Sequence, residues 1–228
     1  MYFSVFLQFE ALFALLIAKF QAEPHWLYLT NYTTIEIKDN VRAFLSNDIS
    51  IITNGLVDNM DDFISQSVYV NQLNPENNSE SVAAWQVNLK NIAYILRLIS
   101  RRYIDDLTEY NGYKHGLRIT RANDVEFRMP GMPPRKFLET IGYIDFEDDG
   151  GGKKATVEVI KTISPEQSFY EMYLMQRMLR IIKLFRLAEL KDELPPVNQD
   201  TPPEMYSFWD LDKCRLKERE RFHATLNV

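Results

Sequence analysis

The chain has 228 residues, 46 % hydrophobic and 25 % charged, with a formal net charge of −6. These proportions belong to a folded globular protein and exclude disordered and collagen-like classes. The acidic balance argues against a general attraction to nucleic acid, and the single cysteine, Cys214, excludes an intrachain disulfide and a cysteine-based metal site. One thiol fits a reducing compartment, so a cytoplasmic setting is expected. The three histidines, at positions 25, 115 and 223, are far apart. Dinucleotide, phosphate-loop, nucleophile-elbow and metal-helix motifs are absent from the string, so no cofactor and no metal are expected.

The opening segment, MYFSVFLQFEALFALLIAKFQA, is apolar on most faces. It lacks the basic start of a signal peptide. Its longest clean apolar run, ALFALLIA, is far short of the roughly 20 residues that span a bilayer. A largely buried helix is expected, and no membrane association. The alternative is a secreted protein from which the first 22 residues are removed, in which case Asn31-Tyr-Thr33 and Asn77-Asn-Ser79 would be glycosylation patterns. Glu10 falls on an apolar face of the helix and needs a partner, for which a basic residue of the long central helix is expected.

Pro24 ends that helix, and HWLYLTNY reads as an extended connection. Thr33-x-x-Glu36 is a capping box that opens a short helix through IEIKDNVRAFL. Asp48 or Ser50 opens a further run through Ile52, Leu56, Met60, Phe63 and Ile64 toward Val68, with Gly55 inside it. NQLNPENNSES is a polar loop. The central helix then runs from Ser81 to Gly116, with Val82, Trp85, Leu89, Ile92, Leu96, Ile99, Tyr103, Leu107 and Tyr110 on one stripe. At helical rise it would be roughly 45 Å long.

Asn111, Lys114 and His115 share a face at the end of this rod by their i, i+3, i+4 spacing. Gly116 suits the residue that leaves a helix with positive φ. One reading has the two basic residues settling the carbonyl end of the helix dipole. The other makes His115, with an ordinary pKa of about 6.5, a general acid or base. Lys114 and Arg118 would then stabilise a developing phosphorane or oxyanion.

Beyond Gly116 the period changes. TIGYIDFE and ATVEVIKTI alternate around DDGGGKK, which reads as an antiparallel β-hairpin. The glycines are not a phosphate cradle, because a strand rather than a helix follows them. Ser164-Pro165-x-Gln167 starts a second long helix through Phe169, Met172, Met175, Leu179, Ile182, Leu187 and Leu190. Arg177, Arg180, Lys183 and Arg186 give it a basic face, either solvated or a surface for RNA phosphate or an acidic partner. PPVNQDTPP is a stiff linker. The charged tail behind it carries Met205, Tyr206, Phe208 and Trp209, which could dock it onto the body.

The string YNGYKHG at the end of a long helix resembles the Asn-x-x-Lys-His-Gly helix ends of bacterial HEPN-like proteins. That resemblance implies a helical bundle, often dimeric, and for some members metal-independent ribonuclease activity in toxin or defence systems. Residue by residue it reaches His115, with Asn111 and Lys114 as its neighbours.

The expected fold is mainly α, a bundle of about five helices with an inserted antiparallel β-hairpin region near 117–163. A helical domain over 1–194 is followed by a Pro-rich linker and charged tail over 195–228. The expected function is that of an interaction or scaffold domain that self-associates through its aromatic-rich first and long helices, with RNA or protein as further partners. The alternative is a ribonuclease acting through His115, Lys114, Asn111 and Arg118.

Overall fold

The computed structural model describes residues 2–70, 79–114, 120–127, 133, 135–148, 154–163 and 165–192. Among these the protein is mainly helical, with eight helices and three strands. The elements are α1 (Tyr2–Ala18), α2 (His25–Asn31), α3 (Thr34–Leu45), α4 (Ile49–Ile52), α5 (Met60–Tyr69), α6 (Ser79–Asp105), α7 (Leu107–Lys114), β1 (Thr120–Phe127), β2 (Arg135–Asp148), β3 (Lys154–Thr162) and α8 (Pro165–Lys191). No described helix is long and apolar enough to cross a membrane. The described residues form two compact units, a larger one of 4–105 and 170–192 and a smaller one of 2–3 and 106–169.

The larger unit is built on α1. A helix with apolar side chains on nearly every face must be covered all round, and Phe6, Phe9, Leu12, Phe13, Leu16 and Ile17 are fully buried. Each such side chain contributes about 1.5–3 kcal/mol of transfer free energy. Phe9 lies 4.9 Å from the Tyr103 ring of α6, and Phe13 meets Phe44 of α3 edge-on at 5.6 Å. Phe44 and Phe20 in turn pack on Phe63 of α5. The buried Glu10 carboxylate, expected to need a basic partner from the central helix, accepts the Tyr103 hydroxyl of that helix at 2.8 Å.

Several element boundaries differ from expectation, each for a local reason. HWLYLTNY is not extended but forms α2, because Pro24 opens a helix as readily as it closes one. Its carbonyl accepts from Leu27 at 2.9 Å and Tyr28 at 3.1 Å. The Thr33 hydroxyl caps α3 by accepting from the Glu36 N–H at 3.2 Å, as the spacing predicts. The single run expected after Asp48 is split into α4 and α5. Asn54 and Gly55 take φ of 54° and 77°, a left-handed pair that ends a helix. The Thr53 hydroxyl, with one proton to give, lies within hydrogen-bond reach of the Ile49 and Val57 carbonyls and accepts from the Val57 N–H at 3.2 Å.

The expected Ser81–Gly116 rod is likewise two helices, α6 and α7, broken at Asp106. The stripe itself is real within α6, where Leu89, Ile92, Leu96, Ile99 and Tyr103 are buried, while Val82 at its start is exposed.

In the smaller unit β1, β2 and β3 form an antiparallel sheet in that order. The 14-residue β2 pairs with β1 from Phe127↔Arg135 to Thr120↔Gly142 and with β3 from Thr140↔Thr162 to Asp148↔Lys154. The expected antiparallel pairing of TIGYIDFE with ATVEVIKTI is present as β2 with β3, and β1 widens it to a three-stranded sheet. The stretches LRIT and VEFRM, which alternate only briefly, overlap the two ends of β1, TRANDVEF. The connection expected to turn at DDGGGKK includes residues 149–153, outside the described residues.

Candidate functional site

Of the four residues expected to form a site, two can be placed. Asn111 is half-buried in α7, and Lys114 is exposed in its last turn. The Lys114 ammonium lies 4.8 Å from the centroid of the buried Tyr110 ring, a cation–π contact with its own α7 neighbour. His115 and Arg118 lie outside the described residues. The next ring along α7, Tyr113, stacks on Phe3 at 4.2 Å with planes 3° apart.

The densest polar cluster of the smaller unit lies at the other end of α7. Asp106 is fully buried just before the helix, and Glu109 is buried in its first turn, where carboxylates suit the helix dipole. The Lys161 ammonium of β3 reaches Asp106 Oδ1 at 2.6 Å and Glu109 Oε1 at 2.5 Å. The Tyr2 hydroxyl donates to Asp106 Oδ2 and the Tyr143 hydroxyl to Glu109 Oε1, both at 2.9 Å. Lys161 pairs with Ile141 in the ladder, and Tyr143 is two residues further along β2. One sheet face therefore presents both donors to α7. The cluster explains why the rod breaks: Asp106 is held by partners from elsewhere in the chain. The two carboxylates share one ammonium and two tyrosine hydroxyls, which makes the cluster a bolt between helix and sheet.

A second buried pair lies in the larger unit, where Arg102 of α6 meets Glu171 of α8. The Arg102 and Glu171 side chains are 5 % and 1 % exposed, and the guanidinium carbon lies 5.5 Å from the Phe6 ring centroid.

α8 carries the surface feature with the clearest chemistry. Between Glu171 and Glu189 it holds no carboxylate. Leu174, Met175, Met178, Ile181, Ile182 and Phe185 face inward, which makes Met175 and Met178 packing residues. On the opposite side Tyr173, Gln176, Arg180, Lys183, Leu187 and Leu190 are exposed at alternating steps of three and four. Such a row is a straight seam along one helix face. Arg177 flanks it, donating to the Tyr173 hydroxyl at 3.3 Å.

Arg186, expected on the same basic face, is turned inward instead. It donates to the Leu15 carbonyl at 2.7 Å and approaches His25 Nδ1 at 3.4 Å. Nearby, Lys19 pairs with Glu189 at 2.6 Å. Burial, with the positive charges of Arg186 and Lys19, holds the His25 pKa below its ordinary 6.5. Neutral His25 therefore contributes stability that is complete above pH 6.5 and is lost as pH falls from there through the lower folded pKa. The urea midpoint of the wild type is expected to drop more steeply below about pH 6.5 than that of His25→Gln. Parallel curves for the two would remove His25 from the acid response.

The aromatic faces expected to mediate self-association are used internally: Phe6, Phe9, Phe13 and Tyr103 are buried in the larger unit. Among the described residues no group of three or more His, Cys, Asp or Glu could hold a metal ion. The buried ionic cluster was missed by sequence reasoning, although Asp106-x-x-Glu109 inside an apolar period was a usable sign. Comparisons with protein-family models, curated proteins and solved structures give no match to this chain.

Proposed function

We propose that this protein is an interaction domain that docks an acidic, aromatic-bearing peptide segment along the exposed face of α8. The reading rests on the α8 seam, which sets Arg180 and Lys183 between exposed Tyr173 at one end and Leu187 and Leu190 at the other. A helix face of this kind suits a partner that fills the apolar ends and neutralises the middle. An acidic peptide fits better than RNA. Three cations, Arg177, Arg180 and Lys183, give few phosphate contacts, and the net charge of −6 opposes a polyanion at long range. A second copy docking through the same face fits worse still, because a two-fold arrangement would set Arg180 and Lys183 against their own equivalents.

Selection from a displayed random dodecapeptide library on the full chain tests this reading. It should be run beside a full-length Phe208→Ser/Trp209→Ser form, which lacks two neighbouring aromatic side chains of the tail. Enriched peptides are expected to combine aspartate or glutamate with aromatic residues. Their retention should fall about tenfold in Arg180→Glu/Lys183→Glu, on the order of 1.4 kcal/mol. Enrichment on neither form, or enrichment indifferent to that charge reversal, would overturn the proposal. Cleavage of a single-stranded RNA oligonucleotide by the wild type but not by His115→Ala would replace it with the ribonuclease reading.

A further inference from the structure

We propose that the α8 face is covered in the free chain by the chain's own segment Glu204–Asp212, EMYSFWDLD, folded back in cis. The inference rests on the docking reading above and names the occupant. Residues 193–228 lie outside the described residues, so the argument runs from their sequence and from the place where α8 ends.

The first ground is charge. From Asp192 to Asp212 the chain carries carboxylates at Asp192, Glu193, Asp200, Glu204, Asp210 and Asp212 and no lysine or arginine. The stretch of α8 from Met172 to Ala188 is the reverse, with lysine and arginine and no carboxylate. Two oppositely charged segments in one chain attract one another, with a screening length of about 8 Å at physiological salt.

The second ground is shape. Met205, Tyr206, Phe208, Trp209 and Leu211 stand between the acids of the segment. They match a face on which Tyr173, Leu187 and Leu190 remain 45 %, 44 % and 81 % exposed.

The third ground is reach. α8 stops at Lys191, where Asp192 takes a left-handed φ of 53° and its N–H bonds the Glu189 carbonyl at 3.2 Å. Such a residue turns the chain off the helix axis. From Lys191 back to Arg180 is about 16 Å of helix, and to Tyr173 about 27 Å. Residues 193–203 can span up to about 36 Å, and their proline pairs at 195–196 and 202–203 favour an extended path. The tether is therefore long enough to lay Glu204–Asp212 anywhere between Leu190 and Tyr173. At the millimolar effective concentration typical of a short tether, even a weak contact is largely formed. An acidic partner would then bind by displacing the tail.

The experiment places the photo-crosslinking residue benzoylphenylalanine at Tyr206 of the full chain. Irradiation of a dilute sample is expected to give a monomeric product whose crosslink maps to residues 173–190. Its yield should fall about tenfold in Arg180→Glu/Lys183→Glu, as expected when the effective concentration no longer exceeds the dissociation constant. Asp210→Lys/Asp212→Lys should lower it equally, and combining both reversals should restore it, which separates lost charge pairing from lost folding. A crosslink found only in a covalent dimer would assign the tail to a second copy and overturn docking in cis, as would crosslinks that map elsewhere. If peptide selection succeeds while no crosslink reaches α8, the tail inference falls and the docking reading stands. If both fail, both fall.

Discussion

Replacing Arg102 with methionine is expected to destabilise the larger unit by about 3–5 kcal/mol, because it leaves the Glu171 carboxylate buried without its counter-ion. Glu171→Gln should cost nearly as much, since the guanidinium then loses its charge partner while still held over Phe6. The informative variant is the double one, Arg102→Met/Glu171→Leu. Two apolar side chains of similar volume remove both desolvation penalties together, so its urea midpoint should return to the wild-type value or pass above it. Losses that simply add would mean that the two groups are not coupled in the folded state.

A comparable effect is expected in the smaller unit. Lys161→Met removes the ammonium shared by Asp106 and Glu109 and leaves two buried carboxylates facing each other. The expected cost is again about 3–5 kcal/mol, to be read from the hydrogen-exchange protection of the β2 and β3 amides, which reports on this sheet rather than on global unfolding. Adding Asp106→Asn to Lys161→Met should recover at least about 1 kcal/mol, because one of the repelling charges is gone. If the second substitution deepens the loss, the carboxylates are held by their tyrosine donors more than by the lysine. Tyr2→Phe and Tyr143→Phe would then each show more than the usual cost of about 0.5–1.5 kcal/mol for one hydrogen bond.

Local signals were legible in the sequence, and long-range ones were not. The burial of α1 follows from apolar residues on nearly all its faces, and the Thr33 cap from a four-residue spacing. In α8 the apolar period groups Leu187 and Leu190 with the buried Met175 and Ile182, whereas they are 44 % and 81 % exposed. The break between α6 and α7 could not be read in the same way. Asp106 is held by Tyr2, 104 residues away, and by Lys161, 55 residues away, and no window of sequence contains all three. Arg186 has the spacing of a surface residue and was assigned to the basic face for that reason. What draws it inward is the open carbonyl of Leu15, 171 residues earlier, one of the unpaired groups that every helix end leaves. At the candidate site the i, i+3 relation of Asn111 and Lys114 holds within α7. The stack of Lys114 on Tyr110 depends on side-chain direction, which spacing does not fix.

The order in which the larger unit receives its parts has a consequence for its synthesis. α1 leaves the ribosome before the other described helices, yet two fastenings at its end, Lys19 to Glu189 and Leu15 to Arg186, are made by α8. At roughly 5–20 residues per second that helix arrives about 10–30 s later. Throughout that interval the nascent chain carries a greasy Phe-rich rod that lacks part of its cover, so its yield in the cell should depend on holdase chaperones at the exit tunnel.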